Sequence, residues 1–178
     1  MKLMIASDLH GSAYYTRLLL EAMDREQPDR LLLLGDLLYH GPRNDLPREY
    51  APKKVIEMLN ARKSQILCVR GNCEAEVDQM VLEFPVLSEF GVVFADGLTL
   101  YMLHGHKNLD IPVMPGDILL CGHTHVPAVR KDGEHYDVNP GSVSIPKEGS
   151  CHGYMILENR QLRHISLEGE NTLPDFTF

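Results

Sequence analysis

The stretch Arg30-Leu31-Leu32-Leu33-Leu34-Gly35-Asp36 decides the reading of the fold. Four consecutive leucines leave no polar face, so the segment reads as a short strand covered on both sides, the kind found in parallel sheets. Leu3 to Ser7 and Gln65 to Val69 read in the same way. Between these strands lie two helical patterns. Residues 14 to 26 carry Leu18, Leu19, Ala22 and Met23 at helical spacing and close before Pro28, and Pro47 to Leu59 places Val55, Ile56 and Leu59 on one face. This alternation predicts a largely parallel sheet with covered faces, whose functional loops gather at the carboxyl ends of the strands.

After residue 88 the pattern changes to hairpins. Gly91 to Ala95 and Leu98 to Leu103 flank Asp96-Gly97, a strong turn signal. Leu119 to Gly122 precedes a Gly-His-Thr-His turn, Ala128 to Arg130 and His135 to Asn139 flank Lys131-Asp132-Gly133-Glu134, and Cys151 to Leu157 and Gln161 to Ser166 close around Glu158-Asn159-Arg160. Two sheets packed face to face with helices outside accommodate these segments better than one wide sheet. With 178 residues, 44% of them hydrophobic, and no proline- or serine-rich linker, one domain over 1–178 is expected. Its tail, 168–178, is polar but ends in Phe176 and Phe178, so it either frays or docks by those rings.

The net charge of −8 disfavours tight binding to long nucleic acid, although a small anion in a metal-lined cleft is compatible with it. Met1 to Ala6 reads directly as a strand, so no cleavable leader is expected, and no apolar run approaches the roughly 18 residues of a membrane span. A cytoplasmic protein without membrane contact is expected. Cys68, Cys73, Cys121 and Cys151 are widely spaced and are expected as free thiols.

Metal-capable residues stand at the strand exits: Asp8 and His10, Asp36, Asn72, His104, then His123 and His125. If the chain stays extended through Asp8-Leu9-His10, residues two apart point the same way and can close on one ion. Asp36 leaves a strand too apolar to present a carboxylate casually, and its two oxygens can bridge two cations. Asn72, in a segment that should begin a helix, can turn its amide oxygen to a metal and its amide nitrogen to an anionic substrate; a helix cap is the alternative. Imidazoles at 104, 123 and 125 suit manganese, iron, zinc or nickel more than calcium. Arg70 either clamps a phosphate or pairs with a surface carboxylate, and His106 and His40 either reach the substrate or are wet surface groups. Asn139-Pro140-Gly141-Ser142 either supports the histidine turn from behind or is an ordinary turn.

Taken together, Asp8-x-His10, Gly35-Asp36, Gly71-Asn72-Cys73-Glu74, His104 and Gly122-His123-x-His125 resemble the calcineurin-like metallophosphoesterase superfamily over residues 1 to about 145. The match is best to its small bacterial and archaeal phosphodiesterase branch, which is related to the non-catalytic retromer subunit of eukaryotes. The resemblance implies an α/β fold of four layers, α/β/β/α, with two mixed sheets flanked by helices. It implies two divalent ions, usually manganese, with zinc, iron, nickel or magnesium also admitted. One would be held by Asp8, His10, Asp36 and His125, the other by Asp36, Asn72, His104 and His123. Many members carry histidine where this chain has Cys73; a thiol is a poorer cation and proton donor than imidazolium, so substrates with good leaving groups are favoured.

The expected activity is therefore hydrolysis of a small phosphodiester by activated hydroxide. Asn72, Cys73, Arg70 and His106 are the candidate substrate contacts. A phosphomonoesterase of the same fold and a non-catalytic protein-interaction module are the alternatives. Self-association is compatible with a small cytoplasmic enzyme, without an interface that can be named.

Overall fold

Strand pairing sorts residues 1–178, all described in the computed structural model, into two mixed sheets flanked by helices. The strands are β1 (Lys2–Ala6), β2 (Arg30–Leu33), β3 (Ile66–Cys68), β4 (Phe90–Ala95), β5 (Leu98–Leu103), β6 (Ile118–Leu120), β7 (Pro127–Asp132), β8 (His135–Pro140), β9 (Gly153–Glu158), β10 (Gln161–Ser166) and β11 (Phe176–Thr177). The helices are α1 (Ala13–Glu26), α2 (Pro52–Asn60) and α3 (Glu76–Val81).

The first sheet has the order β11-β10-β9-β1-β2-β3 and the second β4-β5-β6-β8-β7. Parallel pairing is confined to β1, β2 and β3 in one sheet and to β5, β6 and β8 in the other. The hairpin strands at the flanks run antiparallel.

The leucine run of β2 has a direct explanation in this arrangement. Strand side chains alternate between faces, so a strand buried on both sides must be apolar at every position. Leu31 and Leu33 join Met4, Ala6, Leu19, Met23, Val55 and Leu59 in the core beneath α1 and α2. Leu32 and Leu34 instead join Leu3, Ile5, Leu100, Met102, Ile118 and Val138 between the sheets. All four leucines have no exposed surface. Each contributes about 1.5–3 kcal/mol by burial.

Helix α1 begins where expected, because the Ser12 hydroxyl accepts the Tyr15 N–H at 3.2 Å. Helix α2 does not start at Pro47. Residues 49–51 lie along the loop after β1 instead: the Ala13 N–H donates to the Glu49 carbonyl at 3.0 Å and the Ala51 N–H to the Gly11 carbonyl at 2.8 Å. Those bonds override local helical preference, and the helix starts at Pro52, whose missing N–H costs nothing in the first turn.

The helix expected from Asn72 likewise starts later, at Glu76, with the Asp78 carboxylate accepting the Ala75 N–H at 2.9 Å. The tail docks rather than frays: β11 pairs with β10, and the Phe176 and Phe178 rings lie 5.5 and 5.1 Å from that of Tyr136. All four cysteines are free thiols. No helix is long and apolar enough to cross a membrane.

Candidate metal centre

The loops that leave β1, β2, β3, β5 and β6 converge at one edge of the sandwich. Asp8 and Asp36 are buried there, 0% and 2% exposed, and every ion-pair partner within reach of either is a histidine. Two buried carboxylates with no lysine or arginine beside them are a strong demand for positive charge.

The histidines are arranged to meet that demand. The Nδ1–H groups of His10, His104 and His125 donate to the carbonyls of Tyr39, Leu34 and Ile145 at 2.8, 2.6 and 2.6 Å. A carbonyl only accepts, so in each neutral ring Nε2 carries the lone pair. Those lone pairs face inward. His125 Nε2 lies 3.1 Å and His10 Nε2 3.5 Å from Asp8 Oδ1, and the two Nε2 atoms are 3.3 Å apart. On the other side, His104 Nε2 lies 3.5 Å from Asp36 Oδ2 and 3.1 Å from Asn72 Oδ1. His10 Nε2 is also 3.7 Å from Asp36 Oδ2, which puts that carboxylate between the two groups.

Lone pairs pointed at carboxylate oxygens repel unless a cation or protons lie among them. Asp8 Oδ1 is buried without a hydrogen-bond donor, as a metal-facing oxygen should be. Ligating atoms of Asp8, His10 and His125 all lie within 4.8 Å of one another, as do those of Asp8, Asp36 and His104. The donor set thus fits divalent cations by chemistry as well as by spacing. His123 stands further out, its ring 5.1 Å from that of His104.

The proton affinities report the same demand. Burial pulls the His104 pKa down, but the Asp36 hydrogen bond and the charges of Asp8 and Asp36 overcome it and push it up to about 9. Burial likewise works against His10, and Asp8 raises it nonetheless. Asp8 itself is held well below the usual carboxylate range, since His10 and His125 outweigh its burial.

The backbone places these side chains by an unusual device. Asp8, His10, Asp36, His123 and His125 all have positive φ, at 60°, 45°, 57°, 65° and 63°. Asp8 and His10 therefore converge from left-handed turns, and the extended geometry expected for them is not what aims them. Each such residue costs about 1–3 kcal/mol, which the surroundings must offset. Glu74 does so for Asp36. Its carboxylate, 4% exposed, accepts the N–H groups of Asp36, Leu37 and Gly71 at 2.9, 2.7 and 2.5 Å. Burial and the Asp36 charge raise its pKa to about 6 despite those bonds.

Sequence reasoning quoted Glu74 but gave it no part; the signal was an acid beside an apolar strand that had no partner of its own. For Asp8, the Ser142 and Ser144 hydroxyls donate to its carbonyl at 2.8 and 3.1 Å. The Asn139 amide donates to the Gly122 carbonyl at 2.7 Å. The Asn139–Ser142 turn thus supports both the histidine turn and Asp8.

The cleft above has a volume of about 470 Å³ and is lined by His10, Asp36, Asn72, Cys73, His123 and His125, with Gly41 to Asn44, Thr124 and Lys147 as the remaining wall. Burial and Asp36 raise the Cys73 thiol, which stays neutral. The Asn72 amide nitrogen donates to Cys73 Sγ at 3.3 Å while its oxygen faces His104.

Arg70 and His106 do not line this cleft. Arg70 donates to the Glu74 carbonyl at 3.1 Å and lies 3.7 Å from Glu76, which is its carboxylate-pairing alternative. The His106 ring is set behind His104 and His123, at 5.4 and 6.2 Å. His40 packs between Tyr39 and Tyr50 and does not line the cleft.

The description "calcineurin-like phosphoesterase superfamily domain" matches residues 1–161. Phosphodiesterase YfcE of Escherichia coli strain K12 is 44% identical over 177 residues, which cover 97% of this chain and 96% of that protein. A solved structure of the E. coli Yfce phosphoesterase superposes with a TM-score of 0.94 at 42% identity, covering 99% of both chains. Vps29 of Entamoeba histolytica, a single mutant, shares the fold at a TM-score of 0.68 and 19% identity over 100% of this chain and 99% of its own. This chain belongs to the calcineurin-like phosphoesterase superfamily.

Proposed function

We propose that the protein is a metal-dependent phosphodiesterase with a binuclear centre. Asp8, His10, Asp36 and His125 would hold one divalent cation, and Asp36, Asn72, His104 and His123 would hold the other. The observation that carries this reading is the orientation of three imidazoles, each fixed by a carbonyl at Nδ1 and aimed by Nε2 at two buried carboxylates. The 44% identity to a phosphodiesterase supports the same reading.

When bound, the cations supply Lewis acidity toward phosphoryl oxygens and acidify a water. Manganese is the ion we expect first. Asp8 and Asp36 would bring two negative charges to two divalent cations, so a net charge of +2 would remain to attract an anionic substrate such as a phosphodiester. Asn72 offers its amide N–H to a phosphoryl oxygen. Cys73, a neutral thiol in the cleft wall, gives shape without charge, and no cationic acid stands at that position to protonate a leaving oxygen. Substrates with stable leaving groups react best.

The test is to strip the protein with chelator, reload it separately with manganese, zinc, iron, nickel or magnesium, and compare aryl diesters and monoesters that share a leaving group. Turnover should return with metal and favour the diester. A metal-replete protein inert toward every ester would leave only a binding module, and faster turnover of the matched monoester would make it a phosphomonoesterase.

A further inference from the structure

The candidate metal ligands fill only the floor of their cleft. Its volume, about 470 Å³, is many times the roughly 30 Å³ share of one water and lies in the range of sites for whole small molecules. The lining contains no aliphatic or carbocyclic aromatic side chain apart from Pro42. An apolar substituent therefore has little to bury against on this wall.

What the wall offers is two cations, Arg43 from the loop after β2 and Lys147 from the loop after β8. In a chain of net charge −8, neither has a carboxylate within ion-pair distance, whereas Arg62, Arg70, Lys63 and Lys107 do. Both stand on turns tied to the metal centre. The Lys147 N–H donates to the carbonyl of His125 at 3.2 Å, and Ser150 closes that turn by donating to the Lys147 carbonyl from N–H and hydroxyl at 3.0 and 2.6 Å. On the opposite loop, the Asn44 amide donates to the His40 carbonyl at 2.8 Å, next to the Tyr39 carbonyl that orients His10. The backbone turns that carry the two exposed side chains are thereby tied to the site that would bind the reacting phosphate.

We propose that Arg43 and Lys147 form an anion subsite, so that the preferred substrates are phosphodiesters carrying a second anionic group, phosphate or carboxylate, on one ester arm. The inference rests on the phosphodiesterase reading and deepens it. Binding of the second anion draws on two cations that no internal carboxylate already satisfies, in a cleft whose walls concentrate their field.

Untagged, carboxylate-tagged and phosphate-tagged diesters test it, with the tag on the retained arm and one common aryl leaving group in one series, and with the tag on departing aryl groups of matched pKa in another. The wild-type metal-loaded enzyme should show a higher kcat/KM for tagged substrates in at least one series, by up to about five-fold for each cation engaged. High salt should erode that preference. Arg43→Gln and Lys147→Gln should each reduce the ratio of tagged to untagged kcat/KM, and the double variant should bring that ratio to one. Calorimetric binding of the corresponding non-hydrolysable phosphonates gives a readout that needs no turnover, with tagged compounds binding tighter to the wild type only. Equal binding and kcat/KM for tagged and untagged compounds in both series, or a preference that survives in the double variant, overturns the subsite. Failure of the untagged diester to react would count against the phosphodiesterase reading instead.

Discussion

Glu74→Ala would remove the acceptor of three buried N–H groups, those of Asp36, Leu37 and Gly71, without removing any candidate ligand. Each orphaned donor costs about 1–3 kcal/mol, so the upper sum is about 9 kcal/mol. Water entering the vacated space recovers part of that, which puts the expected loss at about 3–5 kcal/mol. At about 2–4 °C per kcal/mol for a chain of this size, the melting temperature should fall by roughly 6–20 °C. Asp36 at φ 57° then loses the clamp that offsets its strain, so its carboxylate should no longer be held between the two histidine groups.

Glu74→Gln keeps one oxygen and should retain the bonds from Asp36 and Gly71, at the cost of turning its NH2 toward the Leu37 N–H; a loss of about 1.5–3 kcal/mol follows. The assay is urea unfolding in chelator, which separates stability from metal linkage, with metal stoichiometry by elemental analysis on the reloaded proteins. Both variants should hold less metal than the wild type, alanine least. Wild-type stability in chelator together with full metal content in Glu74→Ala would refute the clamp.

Asp36→Asn should lower the content of both metal ions and abolish activity, whereas Cys73→Ala should leave metal content unchanged; full binuclear occupancy in Asp36→Asn rules out the shared-ligand assignment. At Gly122 an added Cβ would lie 2.0 Å from Ser7 Oγ and 2.9 Å from Asp8 Oδ2. Gly122→Ala should therefore destabilise by about 3 kcal/mol in urea unfolding and reduce bound metal, and wild-type values for both would contradict the packing described. Burial lowers the His164 pKa, with its bond to the Pro140 carbonyl opposing only in part. The unfolded chain thus binds more protons at this position below about pH 6.5, so the stability His164 confers is full above that value and is lost as pH falls toward the depressed folded pKa. Unfolding free energies at pH 7 and 5.5 should differ less in His164→Gln than in the wild type, and an identical pH dependence would exclude His164 as a contributor.

Much of the fold was legible because burial on both faces forces apolar residues at every position of a strand, as in Leu31 to Leu34. The candidate ligands were legible because carboxylates and imidazoles have little reason to follow such strands in series. The start of α2 was not legible, since the bonds that hold residues 49–51 out of the helix come from Gly11 and Ala13, far away in the chain. Arg70 could not be placed from sequence for a similar reason: a cleft contact and a pairing with Glu76 are equally good uses of a guanidinium, and only the path of the loop chooses between them.

Residue order alone determined which segments are buried and which chemical groups stand at their exits, because both follow from local composition and period. Tertiary structure alone decided how those groups meet. The left-handed turns at Asp8, His10, Asp36, His123 and His125 are unfavourable by themselves and exist only where distant groups such as Glu74, Ser142 and the Ile145 carbonyl hold their loops in place. Convergence is a sum of long-range contacts, and no window of sequence contains it.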